Sequence, residues 1–184
     1  MKTRNPDLPP SAPGSLRTSD IVAAYTLLRI IVGVNYFNHG FTRLGNIPGF
    51  VSGMVERFQD TFLPTFLVQI NAFIVSPVEL IVGILITIGL FTRSALIATL
   101  LLMVMLMYGA TLIQSWDTAA SQLIYDLILA ILLAGLGYNT VSVDRWLQKR
   151  GQTPAQAVQN SGQNLMRVAR RILLRKPRRR NYRA

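Results

Sequence analysis

The stretch LLRIIVGVNYFNHGFTRL, residues 27–44, places ionisable and hydrogen-bonding side chains inside a segment that is otherwise apolar. A helix turns by about 100° per residue, so Tyr36, His39 and Arg43 fall within about 80° of Arg29 on one face. Side chains of these types can hydrogen-bond a polar ligand, attract an anion or exchange protons. The spacing predicts a polar ladder along one side of this helix, with His39 and Arg43 at its far end.

Two acidic residues, Glu79 and Asp126, lie in other apolar segments. Gln122 lies one turn before Asp126, and Tyr125 immediately precedes it. Charges at membrane depth normally face the interior of a helix bundle and pair with one another. Measured at about 1.5 Å per residue from the predicted helix ends, Arg29, Glu79 and Asp126 should share one layer. One arginine between two carboxylates leaves a surplus negative charge or a proton to be held. This layer therefore either exchanges protons or has a structural role in fixing the register of the helices.

These polar residues lie within long apolar runs. The chain of 184 residues is 51% hydrophobic and 15% charged, and its apolar residues come in blocks. Runs of about 18 or more apolar residues can cross a bilayer about 30 Å thick. Such runs predict spans at about residues 19–43, 62–91, 94–114 and 118–138. The sequence thus predicts an all-α, integral-membrane four-helix bundle over residues 19–147. The loop 45–63 is interpreted either as a short helix lying along the membrane or as an exposed loop.

Basic residues are concentrated on one side of the predicted bundle. The side that holds both termini collects 16 of the 19 Lys and Arg residues. The positive-inside rule therefore places both termini in the cytoplasm. Residues 1–18, which contain four prolines, are expected to form a disordered lead. The membrane itself is expected to be a bacterial-type cytoplasmic or thylakoid membrane.

Residues 148–184 are predicted to form a basic cytoplasmic tail. Leu165, Met166, Ala169, Ile172 and Leu173 recur at helical spacing opposite arginines. A basic amphipathic helix beside a membrane is expected to lie on anionic lipid headgroups. Docking on an acidic partner subunit is the alternative. Nucleic acid is not an expected partner, because no recognition fold or aromatic platform accompanies the charge.

Four stretches follow one another along the chain: LLRIIVG, NHGFTRL, SPVELIVGILITIGLFTR and GLGYNTVSVDRWL. In arrangement and order they resemble the DoxX family of four-helix membrane proteins, over about residues 26–147. By this resemblance Arg29, His39, Arg43 and Glu79 match the signature positions of the family. The family usually has lysine where this chain has Arg43, and its shortest members have a shorter loop after the first span.

The resemblance implies a membrane subunit linked to quinone-dependent oxidation, since the family takes its name from membrane subunits linked to thiosulfate oxidation with quinone as acceptor. In that hypothesis hydroxyl and imidazole groups hydrogen-bond a quinone carbonyl, an arginine attracts an anionic substrate, and carboxylates pass protons. The predicted catalytic residues are Glu79, Asp126 and His39, and the predicted quinone-binding residues are Arg29, Tyr36, His39, Arg43 and Tyr108.

The chain has no cysteine and one histidine, so it offers no Cys-ligated cluster, no covalent haem attachment and no multi-histidine metal site. No metal or haem is therefore expected in it, and electrons should come from a partner subunit with a redox centre or directly from a substrate. Two other functions stay open. One is a non-catalytic accessory or assembly subunit of a respiratory or photosynthetic complex, and the other is a small-molecule or ion carrier. The sequence leaves open whether the bundle is an oligomer.

Overall fold

The computed structural model describes residues 17–173, and this part of the chain consists of helices and short connections without strands. Four helices are long and apolar enough to cross a membrane: α1 (Thr18–Leu44), α3 (Thr65–Ile88), α4 (Thr92–Leu112) and α5 (Trp116–Ala134). The predicted all-α fold with four apolar spans is confirmed. The observed helices begin and end within about one turn of the predicted boundaries.

Three further helices lie outside the spans: α2 (Ile47–Arg57), α6 (Val143–Lys149) and α7 (Pro154–Leu173). The loop after α1 therefore contains a helix, one of the two interpretations that the sequence left open. Asn46 caps α2 by accepting a hydrogen bond from the Gly49 amide at 3.0 Å, and Pro48 lies in its first turn. The predicted lead falls almost wholly outside the described residues, and so does the end of the predicted tail, residues 174–184.

The contact between α1 and α3 is the most extensive in the described bundle. Glycines face the backbone of the other helix at this contact. A Cβ atom on Gly40 would lie 2.5 Å from the amide nitrogen of Leu80, and one on Gly83 would lie 2.6 Å from the Cα of Phe37. Small residues allow such close approach of two helices in a membrane. The two antiparallel helices therefore touch backbone to backbone, and this fixes their register.

The ends of α1 and α3 are not level. Gly33 of α1 faces Thr87, the next-to-last residue of α3, although α1 begins at Thr18. At a rise of about 1.5 Å per residue, α1 extends roughly 20 Å beyond the end of α3. The end of α5 covers part of this extension, because the Tyr25 hydroxyl donates to the Leu132 carbonyl at 3.1 Å.

The two ends of the bundle differ in charge. We call the end formed by residues 17–25, 86–93 and 132–150 the proximal end, and the end formed by residues 40–65 and 112–117 the distal end. The proximal end carries Arg17, Arg93, Arg145, Lys149 and Arg150, whereas the distal end carries Arg43 and Arg57. A cytoplasmic proximal end is what the positive-inside rule predicts.

We expect Gly83→Ala to destabilise the bundle by about 1–3 kcal/mol, because its methyl group would meet the α1 backbone and force two packed helices apart. Thermal or SDS-induced unfolding in detergent measures the effect. Gly53→Ala in α2 is the matched control, since nothing lies within 4 Å of a Cβ there. Equal stability of the two variants would contradict the close contact.

Candidate functional site

A buried ion pair joins α1 to α3 in the distal half of the bundle. Arg43 Nη1 lies 2.5 Å from Glu79 Oε2, and the Glu79 side chain is 5% exposed whereas that of Arg43 is 27% exposed. The guanidinium of Arg43 also lies 4.6 Å from the ring centroid of Phe50 in α2, a cation–π distance. The side chain of Arg43 in α1 thus contacts both α2 and α3.

Arg29 lies elsewhere, and the prediction that it shares a layer with the two carboxylates is wrong. Its Nη1 donates to the Ile86 and Thr87 carbonyls at 2.5 and 2.9 Å, and its Nη2 donates to the Val141 carbonyl at 3.0 Å. The prediction assumed that helix ends are level. Because α1 extends well beyond α3, Arg29 meets the end of α3, roughly 12 Å proximal to Glu79 at 1.5 Å per residue.

Six buried polar side-chain atoms have no hydrogen-bond partner among the described residues. Two of them, Arg29 Nε and Asn139 Oδ1, belong to residues whose contacts lie at the proximal end. The other four come from three helices: the Tyr36 hydroxyl of α1, the Ser76 hydroxyl of α3, and Gln122 Oε1 and Asp126 Oδ1 of α5. Tyr36 is 2% exposed, and it lies within electrostatic range of both Glu79 and Asp126. Its ring packs edge-on against Tyr125, with centroids 6.4 Å apart. We call this group the distal polar cluster: Tyr36, Arg43, Ser76, Glu79, Gln122 and Asp126.

The charges of the distal polar cluster do not balance. Arg43 neutralises Glu79, whereas Asp126 forms no ion pair within residues 17–173. A carboxylate in a low-dielectric interior needs a charge partner, hydrogen-bond donors or a proton. The cluster contains one formal positive and two formal negative charges, so the surplus of one negative charge or one proton stays a prediction, now with Arg43 in the place that the sequence gave to Arg29.

Four of the predicted site residues come together in the distal polar cluster, namely Tyr36, Arg43, Glu79 and Asp126. The other three do not. Arg29 is at the proximal end, His39 is exposed on α1 within electrostatic range of Arg43, and Tyr108 is 52% exposed on α4. Ser76 was missed by the sequence analysis, although its position one turn before Glu79 could have indicated it.

The proximal end has a separate polar network built around Asp144. Its carboxylate accepts hydrogen bonds from the amides of Phe91 and Thr92 and from the Thr92 hydroxyl, each at 2.8 Å. The Asp144 amide donates to the Gly89 carbonyl at 3.0 Å. Gly89 and Phe91 both have left-handed backbone angles, with φ of 70° and 50°. Asp144 thus stabilises the tight turn between α3 and α4 and the start of α4.

We expect Arg29→Gln to lower the free energy of unfolding by about 3 kcal/mol or more, because hydrogen bonds to a charged donor contribute about 1.5–3 kcal/mol each. Chemical unfolding in detergent measures it. Arg57→Gln, at an exposed position at the end of α2, should leave stability unchanged. Wild-type stability of Arg29→Gln would mean that the carbonyl contacts are not stabilising.

One of three comparisons with known proteins gives a match. Residues 24–114 match the family model described as DoxX, a range that holds Arg29, Arg43 and Glu79 and ends before Asp126. No curated protein and no solved structure matches the chain. The family match and the four apolar helices together indicate an integral, multi-pass membrane protein. On the evidence of this match and of the helices that carry it, the chain belongs to the DoxX family.

Proposed function

We propose that this protein is the membrane subunit of a quinone-linked oxidoreductase and that the distal polar cluster binds the quinone headgroup. One observation carries the proposal: buried polar atoms of α1, α3 and α5 have no partner among the described residues, and the one on α1, the Tyr36 hydroxyl, lies within electrostatic range of acids on the other two helices. Such atoms cost free energy unless a ligand or water satisfies them. A set of them beside a buried ion pair is typical of a ligand site.

The residues of the cluster fit the headgroup of a quinone. Its two carbonyl oxygens accept hydrogen bonds, and the hydroxyls of Tyr36 and Ser76 are buried donors with no other acceptor in the described part of the chain. The outer surfaces of the spans are rich in exposed apolar side chains, so an isoprenoid chain can leave the cluster into lipid. A bound quinone supplies two-electron, two-proton redox chemistry.

The carboxyl groups of the distal polar cluster are the proposed sites of proton exchange. The Tyr36 hydroxyl lies within electrostatic range of both Glu79 and Asp126. Asp126 can take up or release a proton without breaking an ion pair, whereas Glu79 is held by Arg43. We therefore assign proton exchange first to Asp126. Arg43 positions Glu79. The hydroxyls of Tyr36 and Ser76 form hydrogen bonds with the ligand.

The electrons must come from a donor other than the side chains of this protein. The chain has no cysteine and one histidine, so it lacks the ligand set of an iron–sulfur cluster or a bis-histidine haem. A partner subunit with a redox centre, or a substrate that reacts directly with quinone, would supply them. Cytoplasmic termini and contact of the basic tail with anionic lipid are further parts of this proposal.

The hydroxyl of Tyr36 gives a test that separates ligand binding from structure. Tyr36→Phe removes a hydroxyl with no protein partner in the described chain, so stability should stay unchanged or rise slightly. Loss of one neutral hydrogen bond to the ligand, about 1 kcal/mol, should lower the quinone retained per protein about five-fold. Quinone that co-purifies in mild detergent is quantified by mass spectrometry, and stability is measured by thermal unfolding.

Tyr25→Phe is the matched control. The Tyr25 hydroxyl is also buried on α1, but it donates to the Leu132 carbonyl, so this variant should lose stability and keep its quinone. Unchanged quinone content in Tyr36→Phe would contradict the proposed site. If wild-type protein carries no quinone and both variants still join a defined membrane complex, the accessory role is the correct one.

A further inference from the structure

A pocket of about 230 Å³ opens at the proximal end, where the turn from α3 to α4 meets α6. Polar side chains from both sides line it, including Thr92, Arg93, Asn139, Arg145 and Gln148. It is separate from the distal polar cluster. Glu79 lies nine residues before the end of α3 at Ile88, which corresponds to roughly 14 Å along the bundle at about 1.5 Å per residue, and Arg93 lies just beyond the turn that follows.

The pocket is electropositive although Asp144 also lines it. The Asp144 carboxylate is already occupied by three hydrogen bonds from Phe91 and Thr92. Arg145 Nη1 donates to Gln148 Oε1 at 3.1 Å, and Arg93 has no ion pair or side-chain hydrogen bond among the described residues. The lining thus includes two arginines, and most of their guanidinium donors have no partner among the described residues, a pattern suited to a multiply charged oxyanion.

The surroundings place this pocket at the level of lipid headgroups. Trp146, one residue beyond Arg145, is 50% exposed, and the Arg150 guanidinium lies 3.7 Å from its ring centroid. Exposed tryptophan beside arginine is typical of the membrane–water interface. The pocket is also smaller than the roughly 300–1,000 Å³ of sites for larger organic ligands, so it suits a headgroup better than a whole cofactor.

We propose that the proximal pocket binds a phosphoryl group, held by the guanidinium forks of Arg93 and Arg145, with Gln148 and Asn139 completing the polar lining. An anionic phospholipid such as phosphatidylglycerol presents this group at the correct depth, and free inorganic phosphate presents the same chemistry. The site anchors the turn between α3 and α4 to the lipid surface. It is independent of the proposed quinone site, because no residue is shared between the two.

Native mass spectrometry of the full chain tests this proposal, with phosphatidylglycerol, phosphatidylcholine and inorganic phosphate as separate probes. We expect Arg93→Gln/Arg145→Gln to weaken phosphatidylglycerol binding at least about ten-fold, because two charge-assisted contacts are lost. The matched control is Arg17→Gln/Arg57→Gln, which removes the same charge at exposed positions outside both the pocket and the basic tail. It should change binding less than two-fold, by roughly the size of a surface electrostatic effect.

Loss of phosphatidylglycerol binding alone would identify a lipid headgroup site, and loss of both phosphatidylglycerol and phosphate binding would identify a site for phosphoryl groups from either source. Equal binding by wild type and pocket variant would overturn the proposal. Equal losses in the pocket variant and the Arg17→Gln/Arg57→Gln control would overturn it too, because they indicate diffuse electrostatic attraction. Both arginines are exposed, and the single variants Arg93→Gln and Arg145→Gln give the same comparison should the double variant unfold.

Discussion

The close contact between α1 and α3 determines where the charges on these two helices lie. Glycines at Gly33, Gly40 and Gly83 let the two backbones touch, and in the observed register all three lie against the backbone of the other helix. In this register Arg43 stands beside Glu79, and Arg29 stands below the last turn of α3. A charge inside an apolar bundle needs a partner from the protein, and the glycine contact decides which partner each charge receives.

Arg29 and Arg43, both on α1, consequently have different structural roles. Arg29 satisfies main-chain carbonyls at the end of α3, where a helix leaves its last carbonyls unpaired and its dipole favours a cation. Arg43 neutralises a buried carboxylate and so permits other polar groups to gather around it. Hydrogen bonds to main-chain atoms therefore dominate the interactions of Arg29, whereas Tyr36, Ser76, Gln122 and Asp126 of the distal polar cluster each keep a buried polar atom without a partner among the described residues.

The fold could be predicted from the sequence because long apolar runs are a strong signal and each helix satisfies its own backbone. The tyrosine, arginine and carboxylates of the cluster could also be predicted, since polar residues inside such runs face inward. Which arginine pairs with which carboxylate could not be predicted. This pairing depends on how far α1 extends beyond α3, and the positions of the glycines in the sequence do not give that distance. Ser76 was missed because a serine in a membrane helix commonly bonds its own backbone, whereas here its hydroxyl has no partner among the described residues.

Glu79 interacts with Arg43 and not with Arg29. The most direct test of this pairing is two double-mutant cycles in which the free energy of unfolding is measured in detergent. Arg43→Gln and Glu79→Gln, made singly and together, should show a coupling of at least about 1 kcal/mol. Arg29→Gln and Glu79→Gln should be additive within about 0.5 kcal/mol. Additivity in the first cycle together with coupling in the second would contradict the register of α1 and α3, and with it the composition of the distal polar cluster.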